Sequence, residues 1–118
     1  MDTYFSTPIW QYEISNSNGI EELINISYES KNKEEGNGLV LSNAGFSWHS
    51  AHNFAGPTSN LLLSKDVMAC FKQSATEYGY VLNSASLSYW TIITSKYGYN
   101  RRHNHPGSLL SGVLYLQV

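Results

Sequence analysis

The spacing of apolar residues predicts strands and helices in turn along the first third of the chain. Apolar and polar residues alternate across residues 5–14, which is the pattern of a half-buried strand. Apolar residues then recur at helical spacing from Ile20 to Tyr28. Asn18 lies three residues before Glu21, so we expect it to cap this amphipathic helix, which should continue to about residue 31.

A second helical pattern, the strongest in the chain, covers residues 59–78. Ser64 is its candidate cap, and Gly79 is expected to end it because glycine readily adopts the left-handed conformation found after helices. Between the two helices, residues 31–38 predict a polar loop. Residues 39–55 combine turn chemistry with aromatic side chains, which predicts an irregular loop or a short strand.

Two more strands are predicted in the last third of the chain. Residues 86–95 are rich in Tyr, Trp, Thr and Ile, which favour strands. Residues 109–118 are almost wholly apolar, so we expect a strand inside a sheet. The predicted fold class is therefore α+β, in a single domain over residues 1–118.

Composition and charge narrow the range of partners. The chain has 118 residues and a net charge of -2, and 14% of its residues are charged against a typical quarter. Without a basic face a nucleic-acid partner is not expected. The single cysteine, Cys70, excludes an internal disulfide and is expected to pack as a small apolar residue of the second helix. No apolar run is long enough to span a bilayer and no signal peptide is evident, so a cytoplasmic location is expected, in a host cell if a phage encodes the chain.

The candidate chemistry lies between the last two predicted strands. His103 and His105 are one residue apart, and in an extended chain such side chains point to the same side, where two imidazoles can bind one metal ion. A metal site needs three or four ligands, and His49 and His52 have no recognisable ligand spacing to this pair. The alternative is a surface loop whose histidines flank the turn at Pro106.

The same region resembles a family of 2-oxoglutarate- and Fe(II)-dependent oxygenases found in marine bacteria and their phages. The more specific segments are His-Asn-His-Pro-Gly-Ser at 103–108 and Ser-Gly-Val-Leu-Tyr at 111–115. Supporting segments are residues 5–10, 42–50 and 97–100, together with a strand that carries Trp90. The resemblance extends from near residue 5 to residue 118.

The resemblance implies a double-stranded β-helix, which is a jelly-roll or cupin-like sandwich of about eight strands. The chain would supply its N-terminal part, with two helices packed on the sheet. Residues 1–85 would form a helical support region and residues 86–118 the first core strands with the histidine pair. The C-terminal half of the barrel would be missing, so the chain would be truncated relative to the family.

The resemblance also assigns site residues. His103 matches the first iron-binding histidine of the family, and His105 falls where the family has a carboxylate. Tyr115 resembles a tyrosine that contacts 2-oxoglutarate, and Asn100 is assigned with it to the cofactor site. A neutral imidazole does not offset the charge of the iron as a carboxylate does, so His105 is either a ligand or a group that contacts the ligands or the substrate. No catalytic residue beyond the metal ligands is implied, and the family's later histidine and basic residue would lie past residue 118.

Three functions follow as hypotheses. The first is an oxygenase acting on an unknown substrate with Fe(II) and 2-oxoglutarate, incomplete unless further sequence or a partner completes it. The second is a non-enzymatic structural or interaction protein of phage or bacterial origin, derived from such an oxygenase and forming a homo-oligomer through its C-terminal strand. The third, a small metal-binding module without oxygenase chemistry, has least support. No membrane partner is expected in any of the three.

Overall fold

The structure is a computed structural model that describes residues 2, 6–33 and 46–118. In chain order these residues form helix α1 (Ser17–Asn32), strand β1 (Ser47–His49), a 3-10 turn (Thr58–Asn60), helix α2 (Ser64–Glu77) and strand β2 (Ile92–Thr94). Most of the loop predicted at residues 31–38, and the turn predicted at 43–45, lie outside the described residues.

Helix α1 begins earlier than its sequence pattern predicts. Asn16, not Asn18, occupies the capping position, and its side-chain oxygen accepts a hydrogen bond from the backbone amide of Gly19 at 3.0 Å. The side-chain nitrogen of Asn16 also donates a hydrogen bond to the carboxylate of Asp66 on α2 at 3.1 Å. Because Asn16 can cap one helix and bind the other, the tertiary contact selects it over Asn18.

Helix α2 is shorter than predicted at its beginning and ends where predicted. Ser64 is its first residue and not its cap, and Leu63 holds the capping position without a side-chain hydrogen bond. The preceding residues form the separate 3-10 turn. At the other end Gly79 has φ +95°, which confirms its predicted role in terminating the helix.

The segment before α1 is not the strand that the alternating pattern predicts. Described residues 6–16 have no regular secondary structure, and they lie along α2 in the opposite direction. Three even-numbered side chains form hydrogen bonds with the helix: Trp10 with Glu77 at 2.8 Å, Tyr12 with Ser74 at 2.9 Å and Asn16 with Asp66 at 3.1 Å. Ile9, on the other side, is 84% exposed. The alternation therefore identified the face that packs, but a helix and not a neighbouring strand receives it.

The two strands pair antiparallel, with Trp48 opposite Ile93. Backbone hydrogen bonds continue the pairing on both sides, from Ser95 to Phe46 at 2.8 Å and from Ser50 to Thr91 at 3.0 Å. A short strand was one of the two alternatives predicted for residues 39–55, and β1 confirms it. The strand predicted over residues 86–95 is confirmed only at 92–94.

The strand predicted for residues 109–118 is wrong. This segment has no regular secondary structure, and Val113 and Tyr115 are each 77% exposed. A strand needs a neighbour to receive its backbone hydrogen bonds, and no described strand lies beside this segment. One side-chain hydrogen bond, from Tyr28 to Gln117 at 3.4 Å, connects it to α1.

The fully buried apolar core of the described residues is small. Leu63 and Ala75 are its members, and Leu63 packs so closely on Gly19 that it joins the start of α2 to the first turn of α1. Cys70 is partly buried in α2, within the predicted helix. The described residues thus combine two helices with one two-stranded sheet, and the jelly roll stays a prediction. Within the same residues, no helix is long and apolar enough to cross a membrane.

Candidate metal and cofactor site

The structure brings the two predicted metal ligands together. Strand β2 ends at Thr94, and a turn follows in which Tyr97 has φ +72°. The chain then reaches the histidines with a single bridge residue, Asn100, as its only regular structure. The rings of His103 and His105 lie edge to face, with centroids 4.8 Å apart and planes at 87°. His103 is exposed and His105 is partly buried.

One hydrogen bond determines which nitrogen of His103 can bind a metal. Its Nδ1 lies 2.8 Å from the backbone carbonyl oxygen of Arg101. A carbonyl oxygen can only accept, so Nδ1 carries the proton, and in the neutral imidazole Nε2 keeps a lone pair. Metal-binding histidines commonly have this arrangement, in which the second nitrogen is held by a backbone carbonyl or a carboxylate.

Trp90 connects the pair to a third histidine. The ring of His105 packs at a tilt against Trp90, with centroids 5.4 Å apart. His52 stacks on the same indole at 4.7 Å with the planes only 12° apart. Three of the four histidines therefore lie in a continuous row of rings through Trp90.

This row was not predicted from the sequence, because His52 is 51 residues from His103 along the chain. The pairing of β1 with β2 creates it. His52 lies three residues after β1 and Trp90 lies two residues before β2, so the antiparallel register places them beside each other. An explicit prediction that residues 46–50 pair with residues 89–95 would have revealed the contact.

The loop that carries His52 is held in place by Tyr89. Its hydroxyl donates to the carbonyl of Gly56 at 2.8 Å and accepts from the amide of Ala55 at 3.2 Å. The amide of Asn53 donates to the carbonyl of Tyr89 at 2.7 Å. Burial raises the pKa of Tyr89, and the hydrogen bond from Ala55 opposes that rise.

The fourth histidine is joined to one of the predicted cofactor residues. Nε2 of His49 lies 3.1 Å from Oδ1 of Asn100, and since an amide oxygen accepts, Nε2 donates. The contact joins the end of β1 to the segment that leads to His103. Tyr115, the other predicted cofactor residue, is 77% exposed, so no enclosed anion site surrounds it within the described residues.

The histidine pair alone would supply only two of the three or four ligands that a metal site needs. Among residues 2, 6–33 and 46–118 no group of three or more His, Cys, Asp or Glu side chains is arranged to hold a metal. His52 contacts Trp90 without joining the pair as a third ligand. The assignment of His103, His105, Tyr115 and Asn100 to a metal and cofactor site stays a prediction.

Comparison with known proteins gives no further assignment: no protein-family model, no curated protein and no solved structure matches the chain.

Proposed function

We propose that the chain is part of a 2-oxoglutarate- and Fe(II)-dependent oxygenase domain in which His103 and His105 bind the metal. Two observations support the proposal: the spacing of the two histidine rings, and the hydrogen bond that sets the tautomer of His103. The two rings adjoin at 4.8 Å, and the hydrogen bond to Arg101 leaves Nε2 of His103 able to donate its lone pair.

The ring spacing suits a shared metal ion. Imidazole nitrogens bind at about 2.1 Å from the metal, so two rings on adjacent coordination positions have centroids roughly 4.5–5.3 Å apart. The observed spacing lies within that interval. Imidazole is a suitable ligand for iron, and also for zinc, copper and nickel.

The remaining metal ligands would come from outside the described residues. By the resemblance, a third ligand and a basic residue for the far carboxylate of 2-oxoglutarate come from further sequence or from a partner. Tyr115 and Asn100 are the residues of this chain that would face the cofactor. Fe(II) with 2-oxoglutarate supplies O2 activation for hydroxylation of a substrate.

Metal titration tests the pair directly. We expect the wild type to bind Co(II), with quenching of tryptophan fluorescence because Trp90 touches His105. The variants His103→Ala and His105→Ala should each weaken binding at least tenfold. His49→Ala removes an imidazole outside the pair and is the matched control. Equal uptake by all four proteins would overturn the metal site.

A second titration separates an oxygenase from a simple metal-binding module. If the oxygenase proposal holds, 2-oxoglutarate added to the Co(II)-loaded protein should change the visible absorption of the metal. Tyr115→Phe should weaken that response. Tyr80→Phe removes the hydroxyl of an exposed tyrosine outside this segment and serves as the control. Metal binding without any response to 2-oxoglutarate would reject the oxygenase and leave the metal site intact.

The exposed apolar segment at residues 109–118 supports a second candidate, a non-enzymatic interaction protein. Val113 and Tyr115 are each 77% exposed, and burial of their apolar surface against a partner would be favourable. If a second copy pairs with this segment, sedimentation should show a dimer that Val113→Asp dissociates. Val81→Asp alters a side chain that is 91% exposed elsewhere and should leave the dimer intact. A monomer at all concentrations rejects this candidate.

A further inference from the structure

Helix α2 separates its charges onto two sides. Its two carboxylates face the segment before α1, since Asp66 accepts from Asn16 and Glu77 accepts from Trp10. Its two lysines, Lys65 and Lys72, lie seven residues apart, which is close to two helical turns, so they share a different face. Both lysines line an open groove of about 360 Å³ between α2, the 3-10 turn and Leu87.

The groove has an apolar floor and a polar rim. Met68 and Leu87 are partly buried and form the floor, and the exposed Ala69 also lines the groove. Thr58, Ser59 and Ser64 add hydroxyl groups to the lining. None of the lining residues is acidic.

We propose that this groove binds a small amphipathic anion, namely a phosphate or carboxylate joined to one ring or a short alkyl chain. The lysines and hydroxyls would hold the charged head, because ammonium and hydroxyl groups donate hydrogen bonds to such oxygens. Met68 and Leu87 would cover the apolar part. The volume is near the lower end of ligand pockets, roughly 300–1,000 Å³, which limits the ligand to a small molecule.

The charge arrangement makes the groove selective for an anion although the whole chain carries a net charge of -2. The two carboxylates of α2 accept hydrogen bonds from Asn16 and Trp10 on the other face, and neither lines the groove. The lysines are therefore the ionic groups that a ligand in the groove meets. This site is separate from the histidine pair and does not depend on the function proposed for it.

Calorimetric titration of the full chain with phenyl phosphate tests the proposal. We expect saturable binding that the double variant Lys65→Gln/Lys72→Gln weakens about fivefold, as expected for two partly solvated ionic contacts. Lys33→Gln/Lys96→Gln changes the net charge equally outside the groove and should bind as the wild type does. Equal weakening by both double variants would show unspecific attraction and overturn the site.

Two further ligands test the amphipathic character. Inorganic phosphate and phenol each represent one half of phenyl phosphate, and each should bind more weakly than the whole molecule. Leu87→Ser should weaken the binding of phenyl phosphate and leave the binding of inorganic phosphate unchanged. Circular dichroism would establish that the variant is folded. If inorganic phosphate binds as tightly as phenyl phosphate, the apolar floor has no role and the proposal fails.

Discussion

His52 lies flat on the indole of Trp90, with ring centroids 4.7 Å apart and planes 12° from parallel. Trp90 also contacts His105, so the indole joins the loop after β1 to the candidate metal ligands. The stack spans 38 positions of sequence and exists because β1 and β2 pair.

Removing the imidazole at position 52 should destabilise the fold modestly. Stacked aromatic pairs contribute about 0.5–1.5 kcal/mol beyond area burial, and His52 is exposed, so His52→Ala should cost about 0.5 kcal/mol in urea unfolding. His52→Phe preserves a flat ring and should retain the stability. A loss of equal size in both variants would show that stacking is not the stabilising contact.

The hydrogen bond between Tyr12 and Ser74 should couple the N-terminal segment to α2. It is partly buried at 2.9 Å, and such a bond contributes about 1 kcal/mol. In a double-mutant cycle of Tyr12→Phe and Ser74→Ala, the coupling measured by urea unfolding should be about 0.5–1 kcal/mol. Strict additivity of the two substitutions would mean that the segment does not dock on the helix in solution.

Gly98 should not tolerate a side chain. A Cβ there would overlap the side chain of Thr94 and lie 2.7 Å from the carbonyl oxygen of Phe46, which is backbone and cannot turn away. Gly98→Ala should therefore cost about 1–3 kcal/mol, the usual range for overpacking. Thermal and urea unfolding would measure it.

Gly112→Ala is the matched control for that substitution. Its nearest contact is Cζ of the Phe71 ring at 3.3 Å, the far end of a side chain that can shift. It should cost much less than Gly98→Ala. Equal losses in both variants would contradict the close packing at the end of the β1–β2 pair.

Tyr89 should make stability fall at alkaline pH. Burial raises its pKa above the value of 10.0 expected in the unfolded chain. Below pH 10 the tyrosine is protonated in both states and its contribution is fully present. As the pH rises from 10 through the higher folded pKa, the unfolded state releases the proton first and stability is lost.

Comparing variants isolates the Tyr89 contribution. The free energy of unfolding, measured between pH 9 and 11.5, should fall less steeply in Tyr89→Phe than in the wild type. Tyr115→Phe removes an exposed hydroxyl and should keep the wild-type slope. Parallel slopes in all three proteins would contradict the burial of Tyr89.

Local signals in the sequence were sufficient for the helices. Apolar residues at helical spacing and Gly79 after α2 depend on interactions within a few residues, and both helices formed with only their first residues displaced. The alternation before α1 likewise identified the side that packs. His103 and His105 were close in space because they are close in the chain.

Everything that depends on a distant neighbour was decided by the tertiary structure. Asn16 caps α1 because its side-chain amide also donates a hydrogen bond to Asp66 on α2. Residues 6–16 lie along a helix because no strand among the described residues pairs with them. An apolar pattern at residues 109–118 cannot specify a partner, so the predicted strand did not form among the described residues. The stack of His52 on Trp90 arises from the register of β1 and β2, since a sequence determines which face of a strand is apolar but only pairing determines what lies opposite it.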